Sequence, residues 1–314
     1  MDISLKKISD FCKKRIIIFE NLSIRHILFK FVLYNNYNCE NWERSGFVNN
    51  PSIRRTLGFI MQTGAEAAAL LSPYAVAFLY DENANYFIPN SKIFPIAVIC
   101  AIIAFVAAIL LSIAIPKEEI VSKSPFGSRL MFAFPAALGF GTGGIFMVIE
   151  FAKSQKILFL IAALFLLLSA AHSLLSETDR ANTFLGFTPP IACALLIGVL
   201  YFDFSLEMNA PLKVVAQCAL LPLMLYFTTE LRYLLERELP RLYLALALGS
   251  VAASSLCVFA VPLASFAGML DNTNNCLAAA LVVAGTSVTI LLRLKRYLKP
   301  TPSPENDTKE TDAQ

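Results

Sequence analysis

From residue 57 onward the chain alternates long apolar runs with short polar breaks, and shows neither the two-residue alternation of strands nor the narrow stripe of a soluble helix. Runs of about 18 apolar residues are long enough to cross a ~30 Å hydrocarbon layer as helix. A backbone in lipid has to satisfy its own polar groups, so runs of this length predict helices. Eight spans are expected, roughly Leu57–Tyr80, Ile93–Ile115, Leu130–Ile149, Ile157–Leu175, Phe184–Phe202, Pro211–Thr229, Leu242–Leu263 and Cys276–Leu292. The last is the shortest, and seven spans is the alternative count. The fold class is therefore an all-α polytopic membrane protein, a bundle of about eight transmembrane helices over residues 57–294. Pro73, Pro95, Pro135, Pro222 and Pro262 fall inside spans and predict kinks.

Composition agrees: 57% of the residues are hydrophobic and 16% charged, against about 25% charge in an ordinary soluble domain. The position of the bases adds a topology. With the N-terminus inside, 22 Lys and Arg fall in inside segments and 4 in outside loops. Without residues 1–50 the split is still 14 against 4. Lys and Arg prefer cytoplasmic loops, so the pattern favours an N-in, C-in chain of eight spans. Only the Lys153/Lys156 pair argues for the opposite orientation.

Residues 1–56 read as a basic cytoplasmic segment. The stretch "KKRIIIFENLSIRHILFKFVLY" mixes bases and apolar residues at near-helical spacing, which suits either an anionic membrane surface or a poorly ordered extension. Its apolar patch is too short for a cleavable leader. Residues 295–314 read as a disordered cytoplasmic tail, entered through the basic stop "RLKRYLK". Two segments resemble each other: "LYDENANYFIPNSK" after the first span and "LYFDFSLEMNAPLK" after the fifth. They raise the expectation of a parallel repeat of two four-span halves.

The chemistry on offer is sparse. Seven scattered cysteines form no C-x-x-C pair, and His26 and His172 are the only histidines, so neither a disulfide framework nor a metal site is expected. "LGFGTGGIF" places Gly139, Gly141 and Gly144 on the dinucleotide spacing G-x-G-x-x-G. That fingerprint works only between a strand and a helix, followed about 20 residues later by an acid, and here it lies within the third span. Gly139 and Gly143 instead make G-x-x-x-G, a close-packing ridge for helices in lipid or, with Pro135, a point of helix break. No cofactor, metal or nucleic-acid motif is present, and no hydrolase or Walker signature. The partners expected are the lipid bilayer and a small solute; the pattern sets no oligomeric state.

Glu66 stands out, about nine residues into the first span, with Gln62 one turn before it. Ionisable groups at membrane depth usually face a bundle interior or a water-filled cavity, so Glu66 and Gln62 are the expected polar site. Glu230, Arg232, Glu236, Arg237 and Glu238 read as a solvated helical extension with i,i+4 pairs. His172 reads as a hydrogen-bonded packing residue. Thr286, Ser287 and Thr289 read as hydroxyls bonding back to their own helix. The function expected is that of a small-solute carrier in a bacterial plasma membrane. A non-catalytic component for partner binding or assembly is the alternative, and an enzyme acting on lipids is a weaker third.

Overall fold

The computed structural model describes residues 51–81, 86–88, 91–115, 130–176, 183–237, 239–268 and 274–297. The expectations for the basic N-terminal segment before residue 51 and for the tail beyond 297 lie outside the described residues. Among these residues the order is α1 (Pro51–Leu79), a ribbon of β1 (Tyr80–Asp81) and β2 (Tyr86–Phe87), then α2 (Ile93–Ala114), α3 (Leu130–Ser154) and α4 (Ile157–Leu175). The short α5 (Thr183–Gly186) leads into α6 (Thr188–Tyr201), followed by α7 (Pro211–Leu234), α8 (Pro240–Ser254), α9 (Cys257–Phe266) and α10 (Asn274–Tyr297).

Seven segments are long and apolar enough to cross a membrane: α2, α3, α4, α5 with α6, α7, α8 with α9, and α10. The chain is thus an integral, multi-pass membrane protein. The segment missing from the seven is the first, not the last as expected. The last span is a 24-residue helix. Helix α1 has 29 residues, but Gln62, Thr63, Glu66 and Ser72 dilute its apolar content. The ribbon turns the chain back so that α1 packs on α2. A Cβ on Gly64 would lie 2.9 Å from the Cys100 carbonyl and 3.1 Å from the Ala104 Cβ, so only glycine allows this approach.

The bundle is inverted relative to a water-soluble one. On α2, Ala97, Ala101, Ala104 and Ala108 are fully or nearly fully buried while Ile99, Ile102, Ile103 and Ile113 are exposed. Lipid solvates the large side chains as well as the protein would, so packing is left to small residues that let backbones approach. The most intimate pair is α3 with α10. A Cβ on Gly285 would lie 2.2 Å from the Pro135 carbonyl and 3.1 Å from the Gly139 Cα. Helix α10 is the hub, touching α3, α6, α7, α8 and α9, while α3 also packs on α4 and α2 on α8.

Candidate functional site

Helices α7 and α10 run toward the same face of the bundle, and each carries one charged residue a turn before its end. These are Glu230 and Arg293. The side chains are 5% and 6% exposed and form an ion pair, Arg293 Nη1 donating to Glu230 Oε1. A buried charge is tolerated only when paired and hydrogen-bonded, and the surroundings meet that demand. Tyr226, one turn back on α7, donates its Oη–H to the same carboxylate. Tyr226 and Tyr243 of α8 share a hydrogen bond of 2.9 Å. Tyr233 stands edge-on to Tyr243, ring centroids 5.3 Å apart. On the other side Arg293 Nη2 donates to Ser176 Oγ at 3.4 Å, and Ser176 in turn donates to the Ser173 carbonyl at 2.9 Å. The network crosses α4, α7, α8 and α10.

Beside the pair lies a small cleft with room for about one water, some 10 Å³, lined among others by His172, Ser173, Thr286, Thr289 and the pair itself. Sequence reasoning misplaced most of these groups. Glu230 does not lie on a solvated extension, because α7 continues to Leu234 and carries Glu230 inward. Arg232, Glu236 and Arg237 are exposed as expected. Arg293, read as part of a basic stop, is buried. His172 is buried, but its Nδ1 has no hydrogen-bond partner. Thr286 bonds back to Val282 and Val283 as expected. Ser287 bonds back to Val283 and also donates to Ser254 Oγ on α8 at 2.8 Å. Thr289 does neither: its Oγ1 accepts the Ala136 N–H at 3.0 Å. Pro135, next to it, lies inside α3, where a proline lacks the helical N–H, and the threonine of α10 takes up the Ala136 amide. The one sequence signal for the site was Tyr226 and Glu230 at i,i+4 near the end of an apolar run.

The opposite face carries a second polar cluster. Lys213, 1% exposed, donates to the Asp203 carbonyl at 2.7 Å. The Asp203 carboxylate takes the Ser205 hydroxyl and the Asn275 amide, the latter at 2.7 Å. Nearby, Asn274 donates to Glu150 at 2.6 Å, and Lys153 pairs with Glu150 at 3.1 Å. Two carboxylates therefore sit against the first turn of α10, where the helix dipole favours negative charge. The cluster fixes the 203–210 loop to α7 and α10. Tyr80 is buried beside it. The two look-alike loops meet at this face, with Tyr86 Oη donating to the Asn209 carbonyl at 2.9 Å.

Glu66 and Gln62 lie elsewhere. Gln62 Nε2 donates to Glu66 Oε1 at 3.1 Å, and both are half-buried. They share a row of α1 with exposed Phe59 and Leu70, and neither lines the cleft. The glycines of α3 divide by direction. Gly139 and Gly143 face α10, Gly144 faces Leu167 of α4, and a Cβ on Gly141 would meet nothing within 4 Å. Helix α3 runs unbroken through all four. Among the described residues no group of three His, Cys, Asp or Glu is placed to hold a metal ion. The chain matches no protein-family profile, no curated protein and no solved structure.

Proposed function

We propose that the chain is a small-solute carrier of a bacterial plasma membrane, and that the cleft beside Glu230 and Arg293 is its working centre. The observation that carries this reading is the fully networked ion pair within two membrane-crossing helices. Ionisable groups there are costly and mark substrate or ion paths by default. Replacing such a pair by apolar residues is often neutral or stabilising, so stability alone does not account for it. The orientation favoured by the basic residues places the cleft on the cytoplasmic side, with α1 completing eight crossings. The Glu66–Gln62 pair then lies at the lipid-facing edge of that first crossing, a secondary candidate for a polar path.

The test is water access. Single cysteines at Thr286 and Thr289, in a cysteine-free background, are labelled in membrane vesicles from each side with a charged maleimide. The carrier reading expects labelling well above that of a lipid-facing control at Ile102. Labelling no faster than at Ile102, from either side, favours the alternative of a dry, non-catalytic assembly component.

A further inference from the structure

We propose that the two polar clusters are the two gates of the carrier, one at each end of α7 and α10, and that the structure is the state in which both are shut. The inference rests on the carrier reading and supplies its moving contacts. The first observation is size. The cleft beside Glu230 and Arg293 has some 10 Å³, room for about one water. His172 lines it with Nδ1 unpartnered, and a buried polar atom of that kind points to a water. A solute larger than water has no space in this conformation, so a path to the cleft opens only when contacts around it part. The contact that seals it is the Glu230–Arg293 pair, which lines it and ties α7 to α10.

The second observation is where the ties fall. At the opposite end Lys213 donates to the Asp203 carbonyl and the Asp203 carboxylate takes the Asn275 amide, so Asp203 joins the start of α7 to the start of α10. Asn275 and Arg293 are 18 residues apart on α10, about 27 Å at 1.5 Å per residue. Lys213 and Glu230 are 17 residues apart on α7, about 26 Å. Both spacings approach the ~30 Å of the hydrocarbon layer, which puts one tie at each boundary. Between the ties, among the described residues, no hydrogen bond joins α7 to α10. Helix α10 is small and apolar there, with Ala278, Ala279, Ala280, Val282 and Val283 fully buried. An apolar seam shifts without stranding a polar group, whereas parting either end tie leaves buried polar groups to be satisfied anew. Packed helices switch between discrete arrangements, and two separate locks let one end open while the other stays shut.

The experiment measures sided access to Thr286, which lines the cleft between the two ties. Thr286→Cys in a cysteine-free full chain is labelled with a charged maleimide in vesicles of each orientation. A shut protein labels through its minor open states, at ~0.1–10% of the population, so an unlocked gate should raise the rate roughly tenfold or more. Glu230→Gln should raise it from one side of the membrane only, and Asn275→Ala from the other side only. Glu230→Gln combined with Arg293→Met removes the lock without leaving a buried charge. It should therefore fold well and still label fast from the side that Glu230→Gln opens. A rate that falls back to wild type in this double variant would assign the pair to stability and overturn the gate. Faster labelling from both sides at once would overturn it too, as would a response at only one end or from the same side in both single variants. An unchanged rate in every variant, with Thr286→Cys still labelled well above Ile102→Cys, would overturn the gates and leave the carrier reading standing. Labelling no faster than at Ile102 in every variant, from either side, would remove both.

Discussion

Removing one member of the Glu230–Arg293 pair leaves the other charge buried, and this defines the sharpest prediction. In Arg293→Met the Glu230 carboxylate, 5% exposed, keeps only Tyr226 of the two donors described above. Its burial keeps it from gaining a full hydration shell in place of the guanidinium. Breaking a buried pair from one side costs about 3–5 kcal/mol, against about 0–1 kcal/mol for an exposed pair. Glu230→Gln should fall at the lower end, because the amide oxygen can still accept from Tyr226. The double variant removes both charges and should recover most of the loss. The cycle should therefore return a coupling of about 2–4 kcal/mol between the two sites. The assay is unfolding in mixed micelles by titration with a denaturing detergent. Thermal unfolding provides a second readout, at roughly 2–4 °C per kcal/mol for a chain of this size. Two single variants each under about 1 kcal/mol, and additive within about 0.5 kcal/mol, would refute the buried, mutually dependent pair.

The remaining predictions contrast sites that look alike in the sequence. Gly285→Ala should destabilise by about 1–3 kcal/mol or more through overpacking, since its Cβ would meet the Pro135 carbonyl at 2.2 Å. Gly141→Ala, with nothing within 4 Å, should be neutral or stabilise by up to about 1 kcal/mol; the two are compared by the same unfolding assay. Glu66→Gln should change stability by no more than about 0.5 kcal/mol, because the Gln62 contact is an i,i+4 pair on a half-exposed row. A loss comparable to that of Glu230→Gln would restore Glu66 as a buried centre. Lys213→Met should cost about 1–3 kcal/mol by stranding the Asp203 carbonyl. It should also speed limited proteolysis in the 203–210 loop, while the distant Glu230 network leaves the remaining cleavage pattern unchanged.

The sequence by itself determined the class, the elements and most of their ends. Apolar run length dictates helices in lipid, and the third, fourth and sixth spans begin in the structure where the pattern begins. Hydropathy is a local property, so it survives into the fold without knowledge of neighbours. The glycine ridge of α3 was legible for the same reason. Which ridge meets which helix was not: Gly139 and Gly143 turn to α10 and Gly144 to α4, a choice made by helix rotation and crossing. The polar site was decided by tertiary structure almost entirely. Glu66 attracted notice because it interrupts an apolar run, yet it lies on an exposed row of α1. Glu230 and Arg293 were passed over because each sits among charges at the end of its run. Only packing brings together two residues 63 apart in the chain, one turn from the ends of parallel helices. Burial then converts two ordinary end-of-helix charges into a dependent pair, because lipid and protein exclude the water that would otherwise solvate each one alone.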